Sequence, residues 1–104
     1  MPVTTIAGQE IHVNDEGFLT DPTEWNEELA AELARQIGIT LTDEHWQALR
    51  FLREDFAAKG ETATLRRVST QGGIPVKQLF ALFPKKPAKK MAYVAGLPKP
   101  VGCV

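Results

Sequence analysis

Residues 41–60 read LTDEHWQALRFLREDFAAKG, and the reading of the whole fold turns on them. Thr42 suits a helix N-cap, and Leu41 and Trp46 flank it at the spacing of a hydrophobic staple. Asp43 and Glu44 then fall in the first turn, where carboxylates complement the helix dipole. Trp46, Leu49, Phe51, Leu52 and Phe56 form a broad apolar face, and Gly60 is the stop signal. A helix apolar over so much of its surface belongs inside a core. The spacing therefore predicts a central helix with other elements packed around it.

Upstream, Asp21 can cap a helix with Pro22 at its first position and Glu24 three residues after the cap. Trp25, Leu29, Leu33 and Ile37 recur at helical spacing up to Gly38. Before that, Val3, Ile6, Ile11, Val13, Phe18 and Leu19 are interrupted at Gly8-Gln9 and at Asn14–Gly17, which predicts a small β-meander or hairpin. Downstream, a short helix is expected over Ala63–Thr70, ended by Gly72-Gly73. Pro75 opens another with Val76, Leu79, Phe80, Leu82 and Phe83 apolar, and Pro87 opens a last one with Met91, Val94 and Ala95 inward, ended by Gly96. Two short helices across a glycine turn have the form of a helix-turn-helix. The class expected is α+β in a single domain of 104 residues. Strands over 1–20 pack against an orthogonal array of about five helices over 21–96, followed by an extended, mobile C-terminal arm over 97–104.

Composition limits the possibilities. A hydrophobic fraction of 43% supports a packed core, and a single cysteine excludes an internal disulfide framework. The start, MPVTTIAGQEIHVND, lacks a signal-peptide pattern, and no apolar run approaches bilayer length, so a cytoplasmic protein with no membrane association is expected. The net charge of −1 hides a division. All 13 acids lie between Glu10 and Glu61, with four bases among them, giving −9 up to residue 61. From Thr62 onward there are eight bases and no acid, giving +8. That half either meets an acidic partner, RNA or protein, or simply neutralises the other half within the fold.

The last eight residues, LPKPVGCV, hold the only cysteine, Cys103. Pro98 and Pro100 keep Leu97 and Lys99 out of the helical region and stiffen the segment. Eight extended residues after Gly96 span up to roughly 26 Å. Gly102 permits close backbone approach beside the thiol. A stiff arm bearing an exposed thiol can carry a sulfane sulfur or form mixed disulfides, because the thiolate is the nucleophile in both reactions. An incidental terminal cysteine is the bland alternative; the proline-spaced arm and acid-free surroundings argue against it.

Other constellations are weaker. His12 and His45 stand in no metal-ligand spacing with Cys103, and His45 reads as a surface or packing histidine. No phosphate loop or dinucleotide fingerprint is present, and neither a metal nor a cofactor is expected. Phe80, Phe83 and Tyr93 read as core in preference to a base-stacking platform. Arg66-Arg67 are candidates for holding phosphate or a persulfide anion.

LFPKKPAKKMAYVAGLPKPVGCV (82–104), with DEGFL and LTDEHWQALRFLRE upstream, closely resembles the DsrC/TusE family of small sulfur-carrier proteins over nearly the whole chain. The resemblance implies an N-terminal meander on helices and a C-terminal arm whose cysteine, here Cys103, bears persulfide. It implies a carrier of the sulfurtransferase type instead of a free-standing enzyme. It makes Arg66 the residue facing the sulfur when the arm folds back. Implied partners are a TusBCD- or DsrEFH-like donor complex, with a tRNA-thiolating enzyme or sulfite reductase as acceptor. The sulfite-reductase type carries a second cysteine at the position of Ala92, so this chain lacks the pair needed for an intramolecular disulfide. Relatives also have a longer loop before LFP than STQGGIPVKQ provides. The pattern is most similar to the TusE relay towards tRNA 2-thiouridine. The alternative is a regulatory or nucleic-acid-binding protein using the helix-turn-helix and the basic half, or a redox switch dimerising through Cys103.

Overall fold

The computed structural model describes residues 3–100. The N-terminal strands β1 (Val3–Ile6) and β2 (Gln9–His12) pair antiparallel, with Val3 opposite His12 and Ile6 opposite Gln9. Ala7 and Gly8 link them with φ of 55° and 75°, the paired left-handed geometry of a tight hairpin turn. The turn thus lies one residue earlier than the Gly8-Gln9 reading placed it. The expected third strand is reduced to one bridge between Val13 and Leu19. The Asn14 side chain folds the chain between them by accepting from the amides of Glu16 and Phe18.

The helix expected to begin at Asp21 is split in two. Asp21 caps only a 3-10 turn over Pro22–Glu24, and Trp25 then returns to extended backbone. Asn26 caps α1 (Glu27–Gln36) by accepting from the Leu29 amide at 2.8 Å. Tertiary partners override the local capping pattern here. The Glu24 carboxylate accepts from the His12 amide at 2.8 Å and lies 2.7 Å from its Nδ1, so it is unavailable as a capping-box partner.

Helix α2 (Asp43–Lys59) follows Thr42 and stops at Gly60 (φ 78°), as its sequence predicts. Three shorter helices complete the chain: α3 (Leu65–Gly72), α4 (Val76–Leu82) and α5 (Pro87–Val94). Helix α3 starts and ends two residues later than expected. Thr64 caps it by accepting from the Arg67 amide at 3.2 Å. Helix α2 lies against both α3 and α5. Its Ala48, Leu49 and Leu52 are fully buried with Val68, Leu79, Phe83, Met91 and Val94. A second cluster joins Ile11, Val13 and Leu19 to Leu29 and Leu33, and Trp25 and Tyr93 pack against both. Phe80 departs from the core reading: it is 46% exposed on α4. No helix among the described residues is long and apolar enough to cross a membrane.

His45 is a packing histidine with a specific task. Its Nδ1 accepts from the Thr42 amide at 3.0 Å, which leaves the proton on Nε2 to donate to the Leu82 carbonyl at 2.8 Å. The ring stands edge-on to Phe83 at 5.1 Å. It thus joins the start of α2 to the end of α4.

Candidate functional site at the root of the C-terminal segment

Helix α5 ends in a closing turn. The Leu97 amide donates to the Ala92 carbonyl at 3.0 Å and the Gly96 amide to Tyr93 at 3.3 Å, the paired bonds of a Schellman motif. Gly96 takes φ 70°, and its Cα lies so close to Trp25 that an added Cβ would stand 2.8 Å from the Trp25 Cβ and Cγ. Only glycine meets both demands.

Trp25 and Arg53 hold this turn from two sides. The Trp25 indole N–H donates to the Val94 carbonyl at 2.8 Å. The Arg53 guanidinium lies 4.2 Å over the Trp25 ring. It donates through Nη1 to the Ala95 carbonyl at 2.7 Å and through Nη2 to Pro22 at 2.9 Å. Burial pushes its pKa down from the ordinary arginine value, but a guanidinium remains a cation. One planar fork thereby ties the end of α5 to the 3-10 turn.

The chain beyond Gly96 stays on the body as far as it is described. Leu97 is buried in the main core. The Thr62 hydroxyl donates to the Pro98 carbonyl at 2.7 Å. Lys99 Nζ reaches Glu16 at 3.2 Å, and Pro100 is buried. The arm expected over 97–104 is therefore anchored through its first four residues. Gly102 and Cys103 lie outside the described residues. Cys103 follows Pro100 by three residues, a covalent span of at most about 11 Å.

Of the two arginines on α3, Arg66 is exposed and forms no ion pair among the described residues. Arg67 is the engaged one: Nε donates to Asp55 Oδ1 at 2.9 Å, and Nη2 lies 2.8 Å from the same oxygen as an ion pair. The hydrogen bond to Asp55 raises its pKa. Asp55 Oδ2 is buried without a partner among the described residues. Asp55 borders a cavity of about 180 Å³ that Thr62 and Thr64 also line. Ala92 is fully buried in α5.

The structure brings Gly96, Pro98 and Lys99 together with Trp25, Arg53, Thr62 and Glu16, four residues that sequence reasoning did not assign to the site. Arg53 carried no local signal, since its partners lie 31 and 42 residues away. Trp25 was visible only as an apolar helix position.

The profile of the family described as DsrC-like protein matches residues 5–104. Sulfurtransferase TusE of Photorhabdus laumondii is 37% identical over 112 aligned positions that span the whole of both chains. Among solved structures, DsrC of Allochromatium vinosum, determined by NMR, superposes with a TM-score of 0.82 at 34% identity, covering 98% of this chain and 97% of that one. The oxidized γ-subunit of dissimilatory sulfite reductase (DsrC) from Archaeoglobus fulgidus gives 0.81 at 36% identity, covering 99% and 100%. In both sequence and fold, the chain belongs to the DsrC-like family.

Proposed function

We propose that this protein is a sulfur relay of the TusE type, carrying persulfide on Cys103. The observation that carries the reading is the family match running through residue 104, which places the only cysteine of the chain inside the matched segment. The anchored root at Gly96–Pro100 supports it, because a fixed base presents whatever follows at one place on the surface.

The exchange needs no cofactor. The Cys103 thiolate attacks the outer sulfur of a donor persulfide. A new S–S bond forms as the donor's S–S bond breaks, and the donor departs as a thiolate. An acceptor thiolate then attacks the outer sulfur of Cys103-S-SH and releases Cys103 as a thiolate. One sulfane sulfur moves in each step, with no external oxidant or reductant. The donor is a multi-subunit sulfur-transfer complex and the acceptor a tRNA-thiolating enzyme, both in the cytoplasm. Arg66, exposed on α3, is free to face the persulfide anion. With alanine at position 92, a two-cysteine cycle within one chain is closed to it. The nucleic-acid-binding alternative is not favoured: the similar proteins are sulfurtransferases TusE and DsrC proteins, and the exposed Lys77 shares α4 with the exposed apolar side chains of Val76 and Phe80.

Intact mass spectrometry after exposure to inorganic polysulfide tests the carrier role. A gain of about 32 Da, one sulfur atom, is expected on the native chain, lost with dithiothreitol and absent in Cys103→Ser. No gain, or the same gain in Cys103→Ser, overturns it. For the acceptor, tRNA 2-thiouridine should fall in cells carrying Cys103→Ser as the only copy.

A further inference from the structure

The basic half of the chain is not neutralised within the fold where its lysines are densest. A cleft of about 480 Å³ is lined by Lys85, Lys86, Lys89 and Lys90 around Ile37 and Tyr93. Tyr93 is braced edge-on by Phe18, with ring centroids 5.9 Å apart. The one acid at the cleft is Glu16, shared by Lys89 at 3.9 Å and Lys99 at 3.2 Å. Lys85, Lys86 and Lys90 form no ion pair among the described residues.

Helix physics disfavours this placement three times over. Lys86 is the N-cap of α5, and Lys89 and Lys90 stand in its first turns, with no acid in the first turn. That is the positive end of the helix dipole, where cations are unfavourable. Lys85, Lys86, Lys89 and Lys90 line one cleft, so their like charges are gathered together. Lys85 holds φ 75°, a left-handed conformation that lysine rarely adopts. Strain and repulsion gathered around one concavity, with no return in folding, mark a surface shaped for something else.

We propose that this cleft docks an acidic segment of a partner protein in the relay. The partner's carboxylates meet Lys85, Lys86 and Lys90, and an apolar side chain sits on Ile37 and Tyr93. The apolar floor of Ile37 and Tyr93 favours a peptide over a phosphate backbone, which has nothing to place there. Because Glu16 also holds Lys99, the cleft and the root of the cysteine-bearing segment form one surface. A docked partner lies beside the root of that segment at Lys99. Only the identity of the partner rests on the sulfur-relay reading.

The test uses the full chain and a fluorescein-labelled ten-residue peptide of alternating Glu and Leu, followed by anisotropy and by amide shifts in ¹⁵N spectra. Saturable binding with shifts centred on α5 and Ile37 is expected. Lys86→Glu with Lys90→Glu should weaken it roughly tenfold or more. Lys85→Gly removes a charge and relieves the left-handed strain, so it should weaken binding several-fold while Tm holds or rises. Cys103→Ser should bind unchanged. Absence of saturable binding, shifts elsewhere, insensitivity to the lysine variants, or tighter binding of a single-stranded RNA decamer at the same residues each overturns the proposal. Peptide binding with Cys103 refusing sulfur leaves the docking surface standing and removes the relay; sulfur loading without peptide binding does the reverse.

Discussion

The backbone of Gly96 presses on the side chain of Trp25 with no room for a methyl group between them, an added Cβ falling 2.8 Å from Trp25 Cβ. The same glycine adopts φ 70° to close α5. Gly96→Ala must therefore displace Trp25 and accept a left-handed alanine. A loss of at least about 2 kcal/mol is expected, read as a lower urea midpoint at unchanged slope. An unchanged midpoint would mean that Trp25 moves aside freely.

Arg53→Met keeps bulk under Trp25 and removes both donors. The Ala95 carbonyl then loses its side-chain donor in a half-buried site, and the Pro22 carbonyl keeps only the Trp25 amide at 3.3 Å. The expected cost is about 2–3 kcal/mol. Amide exchange at Leu97, which depends on the same turn, should accelerate more than exchange at Leu49 in the middle of α2. Equal acceleration at both sites would reduce Arg53 to a global stabiliser.

The acid limb of stability should trace partly to the hairpin. The His12 amide bonding to the Glu24 carboxylate holds its pKa below the ordinary 4.5. Thr23 does the same for Asp21 through its hydroxyl and amide. A carboxyl whose pKa is lowered on folding stabilises above its unfolded value, and that contribution disappears as pH falls through the folded value. Urea midpoints should therefore drop from pH 5 to pH 3, and the drop should be shallower in Glu24→Gln. A parallel curve for that variant excludes Glu24 as a contributor.

Tyr93 gives the opposite sign. Burial pushes its phenol above the ordinary 10.0. A raised acid stabilises the fold below its unfolded pKa, and the contribution is lost as pH rises through the folded value. Tyr93 is the only tyrosine, so absorbance at the phenolate band reports it alone. The native midpoint should exceed that in urea, and coincident midpoints would contradict the packing described for its ring.

Much of this was legible in the sequence where local chemistry decides the outcome. Thr42 and Gly60 bound α2 as their residue types predict, and Pro87 and Gly96 do the same for α5. The failures occur where a distant partner wins. Glu24 turned to His12 instead of capping a helix. Phe80 kept helical spacing yet faces water, because a seven-residue helix touching the core with Leu79 and Leu82 has no second buried face. The segment after Gly96 was read from its prolines as extended and stiff. No local pattern announces that Leu97 sinks into the core or that Arg53 clasps the carbonyl before it. The charge asymmetry was visible, but whether it cancelled internally required knowing that one glutamate serves two lysines at the cleft.

The burial of Leu97 changes the logistics of any exchange at the thiol. A long swinging lever would let the protein search for its clients at a distance. For the relay proposed above, Cys103 follows the anchored Pro100 by only three residues, so the client must travel to the carrier and seat itself closely before sulfur can cross. Discrimination between clients then falls on the shape and charge of the landing ground around the fastening point, and a client seated there meets the thiol at high effective concentration.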